Sequence, residues 1–71
     1  MIRKQITSTN LRSIGYDPDS SVLEIEFLNG TIYQYAAVPL QVYNSLMAAN
    51  SHGTYFNANI RKANYRYTQV R

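Results

Sequence analysis

Leu23-Glu24-Ile25-Glu26-Phe27 alternates apolar with acidic residues, and an alternation resumes in Thr31-Ile32-Tyr33-Gln34-Tyr35 after Leu28-Asn29-Gly30. A period of two sends successive side chains to opposite faces of a strand, so each run has a face for a core. Asn29 and Gly30 both tolerate positive φ and close the two runs into a hairpin. The rest of the chain has to be arranged around this hairpin.

Two registers are open. A two-residue loop pairs Phe27 with Ile32 and puts Tyr33 and Tyr35 beside Glu26 and Glu24 on the outer face. A three-residue loop, with Gly30 closing a bulge, pairs Phe27 with Thr31, Ile25 with Tyr33 and Leu23 with Tyr35. A one-residue slip reverses every side chain, so the two exclude each other. The second is favoured because Leu23, Ile25, Phe27, Tyr33 and Tyr35 then share a face and bury more aromatic area. It leaves Ile32 outside, with Glu24, Glu26 and Gln34.

Seventy-one residues make one small domain with a thin core. With no cysteine there is no disulfide and no thiolate metal site. No apolar run approaches the ~20 residues of a membrane span. Met1-Ile2-Arg3-Lys4-Gln5 has no apolar run behind it and does not read as a signal peptide, so a cytoplasmic protein is expected. The net charge of +3 is modest, but it is unevenly spread. All the acids lie between Asp17 and Glu26, whereas Arg61, Lys62, Arg66 and Arg71 crowd the C-terminal segment 61–71.

Upstream of the hairpin, Ile2 and Ile6 can cover a core edge, and Ser8-Thr9-Asn10 reads as a loop. Leu11 to Tyr16 reads as a first strand with Ile14 and Tyr16 inward. Gly15 there marks a bulge or a close backbone approach. Asp17-Pro18-Asp19-Ser20 is a turn. Downstream, Val38-Pro39 opens a helix. Leu40, Val42, Tyr43, Leu46 and Met47 give it an apolar stripe, and it ends near Asn50. Ser51 or Thr54 caps a second helix, with Tyr55, Phe56, Ile60 and Ala63 on its apolar side and Asn57 and Arg61 one turn apart on its surface. Tyr65 to Val70 alternates again, as a fourth strand or a mobile basic tail.

Catalytic chemistry has little to stand on. His52 is the one histidine; Ser51 beside it makes no dyad, because adjacent side chains point apart. Glu24 and Glu26 read as a solvated strand face rather than a cation site. There is no glycine-rich phosphate loop. What remains is the interleaving of rings and cations in Tyr55, Phe56, Arg61, Lys62, Tyr65, Arg66 and Tyr67. Cations of that kind neutralise phosphates, and exposed tyrosines stack on unpaired bases. Arg61 has a structural alternative, anchoring the second helix to a carbonyl or to Asp17 or Glu26.

Gly15-Tyr16-Asp17, the frame Leu23-x-Ile25-x-Phe27-x-x-Gly30-x-x-Tyr33-x-Tyr35-x-x-Val38-Pro39, and the run Ala49-x-Ser51-x-Gly53-x-Tyr55-Phe56-Asn57-x-x-Ile60-Arg61 together resemble the KTSC domain family. The resemblance covers about Ser8 to Tyr65, with Tyr65 matching loosely. The family takes its name from a domain at the C-terminus of some lysyl-tRNA synthetases, and it also occurs as small stand-alone bacterial and phage proteins. Through the synthetase context the resemblance implies RNA binding. Of the matching positions, Tyr33 and Tyr35 suit the sheet core, Ser51 a cap, Gly53 a loop, and Phe56 and Ile60 helix–sheet packing. Asn57 and Arg61 suit an exposed functional pair.

The expected fold is therefore α+β: a three-stranded antiparallel meander, with a fourth strand if the C-terminus pairs, and two helices packed on one face. The expected function is a small non-catalytic domain that binds tRNA or structured RNA. Arg61, Lys62, Arg66 and Arg71 would contact phosphates, Tyr65 and Tyr67 would stack, and Asn57 would assist. A protein-interaction module is the alternative. Neither needs a metal, a cofactor or a membrane.

Overall fold

The computed structural model describes residues 1–71. Five strands form one antiparallel meander: β1 (Arg3–Gln5), β2 (Leu11–Asp17), β3 (Val22–Phe27), β4 (Ile32–Tyr35) and β5 (Tyr67–Gln69), side by side in that order. Helix α1 (Leu40–Ala48) and helix α2 (His52–Phe56) follow β4, and α2 runs on as a π-helical segment over Asn57–Arg61. Both helices cover the sheet face that carries Ile14, Leu23, Ile25 and Tyr35. Leu46, Phe56 and Ile60 complete that core from above.

The hairpin takes the three-residue turn. Leu23 pairs with Tyr35, Ile25 with Tyr33 and Glu26 with Ile32. The Phe27 amide donates to Thr31 O, and Gly30, at φ +91°, donates to Phe27 O. Glycine reaches that φ without the Cβ clash that other residues suffer.

Five strands replace the expected three or four. The omission is β1, which pairs Arg3 with Gly15 and Gln5 with Ser13. Arg-Lys-Gln carries no apolar alternation, so periodicity could not find it. Gly15 did announce it. A Cβ at Gly15 would sit 2.9 Å from Arg3 Cγ and 3.1 Å from Ile2 O, so the glycine marks a close approach. The bulge of β2 falls instead between Leu11 and Ser13. Ile6 packs at the core edge, whereas Ile2 is 94% exposed.

The C-terminal segment is a strand and no mobile tail. Tyr67 pairs with Tyr35 and Gln69 with Tyr33, and backbone bonds continue from Val70 and Arg71 to Ile32. This also resolves Ile32. The Arg71 side chain runs from Gly30 O to Glu26 Oε2, across the Glu26–Ile32 pair, and Ile32 is buried on the outer face.

Elsewhere the local chemistry explains the element ends. Asp17 Oδ1 accepts from the Asp19 amide and Oδ2 from Ser20 Oγ, closing the β2–β3 turn. Those bonds, Ser20's first, hold the Asp17 carboxyl below its ordinary pKa. Pro39 is the extended residue that precedes α1. The helix stops at Ala48, two residues before the expected end. Leu46 is its one fully buried residue, with Val42, Tyr43 and Met47 half-buried and Tyr43 stacked on Tyr16 at 4.9 Å. Leu40, expected in the stripe, is 51% exposed, and Ala63 is exposed as well. Ser51 caps α2, its Oγ accepting from the Thr54 amide. His52 Nδ1 lies 2.9 Å from Leu46 O, so the ring ties α2 to the end of α1.

Candidate functional site

A cleft of about 460 Å³ opens between the π-helical segment and the β4–β5 end of the sheet. Asn57 and Arg61 line it from the helix, Tyr33, Tyr35 and Tyr67 from the sheet, Phe27 and Thr31 from the hairpin, and Asn10 from the β1–β2 loop. The tyrosines follow from strand register. Tyr33 and Tyr35 lie two apart on one face of β4, and Tyr67 pairs directly with Tyr35. Their rings form a mutual cluster, Tyr67 lying 5.8 Å from both of the others. Phe56 supports Tyr35 edge-on from beneath at 5.6 Å, and Phe27 meets Tyr33 edge-on at 5.7 Å.

The helix side depends on the π winding, which adds one residue to a turn and recurs at functional sites. Ile60 is buried, while Arg61, one residue on, reaches the cleft together with Asn57. Asn57 Oδ1 is buried without a hydrogen-bond partner, an acceptor left open in a residue that lines the cleft. On the far wall, Asn10 depends on Gly53. A Cβ at Gly53 would lie 2.2 Å from Asn10 Oδ1 and 3.2 Å from Ser8 Oγ. Gly53→Ala is therefore expected to push Asn10 out of the cleft. The net cost is about 1–2 kcal/mol, overpacking less a gain in helix propensity. Urea denaturation and the Asn10 side-chain NMR resonances report the two effects, and an unchanged stability with an unmoved Asn10 would contradict the packing assigned to Gly53.

Charge is sorted by face. Every ion pair in the structure joins Arg3, Arg12 or Arg71 to Glu24 or Glu26. Arg61, Lys62 and Arg66 are exposed and enter none. Arg61 thus anchors to neither Asp17 nor Glu26. The cleft contains a guanidinium and no acid. Burial pushes the Tyr35 phenol up to about 12, Tyr33 adding to the rise and Arg61 opposing it.

Glu24 and Glu26 are not the solvated face expected of them. Glu24 is buried, bonded by Arg3 and by Gln34 Nε2 at 2.8 Å. Glu26 is half-buried; Ser13 Oγ donates to it at 2.8 Å, and Arg3, Arg12 and Arg71 surround it. Strand β1 brings in Arg3, β2 Arg12 and the segment after β5 Arg71, and none of these contributions is visible in the Leu23–Phe27 pattern.

Of the residues expected at a site, the structure brings together Asn57, Arg61 and Tyr67. Lys62 and Arg66 lie exposed on the connection from the π segment to β5, and Arg66 O accepts from the Ala36 amide. Tyr65 is half-buried against the core. Arg71 belongs to the opposite face of the sheet, with Glu26. Asn10, Phe27 and Thr31 were missed, and Tyr33 and Tyr35 were assigned to the core alone. Gly53 was the available signal for Asn10. No group of three or more His, Cys, Asp or Glu side chains is placed to hold a metal ion, and no helix is long and apolar enough to cross a membrane.

Comparison with known proteins places this arrangement. The family model of the KTSC domain matches residues 7–70. This chain belongs to the KTSC domain family. A KTSC domain protein from Yersinia pestis, solved as a crystal structure, superposes with a TM-score of 0.90 at 37% identity, covering 99% of this chain and 97% of that one. An uncharacterised protein of Stutzerimonas stutzeri is 43% identical over 99% of both chains. A lysine–tRNA ligase of Nostoc is 38% identical over 84% of this chain, which spans 10% of that enzyme's length. The KTSC unit thus occurs both at the length of this chain and as a small part of a larger protein.

Proposed function

We infer that this KTSC domain is a small non-catalytic RNA-binding module of the cytoplasm, with tRNA or other structured RNA as its ligand class. One observation carries the reading: Arg61, with no acidic partner, stands in a cleft beside Tyr33, Tyr35 and Tyr67. A cation next to an exposed aromatic ring, here Tyr67, is the combination that RNA recognition uses. Lys62 and Arg66 extend the positive surface on the same connection, and the carboxylates that could repel phosphate lie on the other sheet face or at the β2–β3 turn. The segment of a lysine–tRNA ligase that resembles this chain supports RNA as the ligand.

Titration against bulk tRNA tests this reading. Three phosphate contacts, from Arg61, Lys62 and Arg66, predict that affinity falls roughly twenty- to fortyfold between about 50 and about 200 mM salt. Each cation removed lowers the log–log salt slope by about one unit. The exposed Arg61→Ala, Arg66→Ala double variant remains folded and loses most of the binding. No binding at low salt would favour the alternative, a protein-interaction module using the outer sheet edges at β1 and β5, whose docking would depend weakly on salt.

A further inference from the structure

The cleft holds a guanidinium and no carboxylate. Arg61 offers a guanidinium fork with no internal partner. Asn57 presents a buried carboxamide oxygen with no internal partner, an acceptor. Asn10 Oδ1 already accepts from Ser8 Oγ, which leaves its amino group. A guanidinium fork on one wall, facing no acid, selects an anionic group. The other wall is aromatic. Tyr33 is locked by its hydroxyl to Gln69 Oε1 at 3.2 Å, and Tyr35 is held from below by Phe56. Tyr67, at 62% exposure, keeps a ring surface free. An anion site and a ring surface within about 460 Å³ fit a ligand with a phosphate and a flat heterocycle a few ångströms apart. A duplex does not present these together, because its bases are stacked on one another.

Resting on the RNA-binding reading, we propose that the cleft takes one unpaired nucleotide of single-stranded RNA, its base against Tyr67 and its phosphate on Arg61. Asn10 donates to the phosphate or to acceptor atoms of the base, and the unpartnered Asn57 oxygen accepts from a base N–H. The specificity of the domain is then for exposed single-stranded positions in a folded RNA, such as a loop or an end, rather than for helical surface. Tyr67 is the stacking residue and Arg61 the phosphate residue. Lys62 and Arg66 contribute charge without selecting strandedness.

The experiment compares oligoadenylate with an oligoadenylate–oligouridylate duplex, following tyrosine fluorescence, which no tryptophan masks in this chain. The single strand is expected to bind more tightly and to quench the emission. Tyr67→Leu, which keeps an apolar side chain on the exposed strand, is expected to lose roughly tenfold or more in single-strand affinity, and Tyr67→Phe to retain it. Arg61→Ala weakens binding and lowers the salt slope by about one unit. Circular dichroism confirms that each variant is folded. Equal affinity for the duplex, or unchanged single-strand affinity in Tyr67→Leu, overturns the nucleotide cleft while RNA binding itself stands. Absence of binding to either RNA and to tRNA removes both readings together.

Discussion

Replacing Phe56 by alanine is expected to remove about 3–5 kcal/mol of folding stability, the cost of truncating a fully buried phenylalanine. A domain of 71 residues has only about 4–10 kcal/mol to lose, so this one truncation removes a large share of the stability, and all of it at the low end of that range. Phe56 is decisive because it is fully buried and joins α2 to two strands of the sheet at once. Its ring meets Phe27 on β3 at 5.7 Å and Tyr35 on β4 at 5.6 Å, edge to face in both cases. Alanine leaves a cavity under the aromatic floor of the cleft, and α2, one turn and a half long, keeps only the His52 contact to Leu46 O, Tyr55 and the Ile60 anchor of its π continuation. Phe56→Leu preserves most of the volume and should cost under about 1.5 kcal/mol. Urea unfolding followed by circular dichroism measures both, and a loss below about 1 kcal/mol for the alanine variant would contradict this account of the core.

Arg3→Ala is expected to cost about 2 kcal/mol at neutral pH, between the ~0–1 of an exposed ion pair and the ~3–5 of a buried one. The intermediate value follows from geometry, since Glu24 is buried while the Arg3 side chain remains 27% exposed. Arg3 also donates to Ser13 Oγ at 2.9 Å and approaches Glu26 at 3.8 Å, so its loss loosens β1 along the outer face. The pH dependence is specific. Burial pushes the Glu24 carboxyl up, but hydrogen bonds from Gln34 and Arg3 and the charge of Arg3 together outweigh it and leave the pKa below the ordinary 4.5. A carboxylate with a lowered folded-state pKa stabilises fully above its unfolded value, and that contribution is lost as the pH falls through the folded one. Without Arg3, burial is opposed mainly by Gln34, so the folded pKa rises and acid unfolding begins at higher pH. Wild type and variant should therefore differ most at neutral pH and converge in acid, where Glu24 is protonated in both. A stability difference that stays constant from neutral to acidic pH would show that Arg3 acts through packing and not through Glu24.

The outer face of the sheet and the cleft face divide the arginines between two tasks. Arg3, Arg12 and Arg71 neutralise Glu24 and Glu26 and so make a charged strand face compatible with burial. Arg61 is left without an acid, on the face where the tyrosines are. A count of basic residues in the C-terminal segment cannot distinguish Arg71 from Arg61, because Arg61 is carried by the π-helical segment over the cleft, whereas the chain after β5 brings Arg71 beside Glu26 on the other face of the sheet.

The sequence alone determined what depends on neighbours a few residues apart. The Leu23–Tyr35 alternation with Asn29-Gly30 specified the hairpin and favoured, without fixing, the register that puts Tyr33 and Tyr35 with Leu23 and Ile25. Pro39 and Ser51 marked the starts of both helices, since capping is local chemistry. The Ser-x-Gly-x-Tyr-Phe-Asn-x-x-Ile-Arg run marked the family. Tertiary structure alone decided what depends on distant partners. Strand β1 exists because β2 offers it an edge and Gly15 lets it approach, and three polar residues carry no period from which to read it. Glu24 and Glu26 look solvated until β1 and Arg71 cover them. The cleft itself is assembled from the β1–β2 loop, the hairpin, the π turn and β5, and each contributes between one and four side chains that are ordinary in sequence. Tyr67 and Tyr35 stand thirty-two positions apart in the chain and become neighbours only through the β4–β5 pairing. Proximity of that kind is set by the closing of the sheet around one small core, and no periodicity along the chain encodes it.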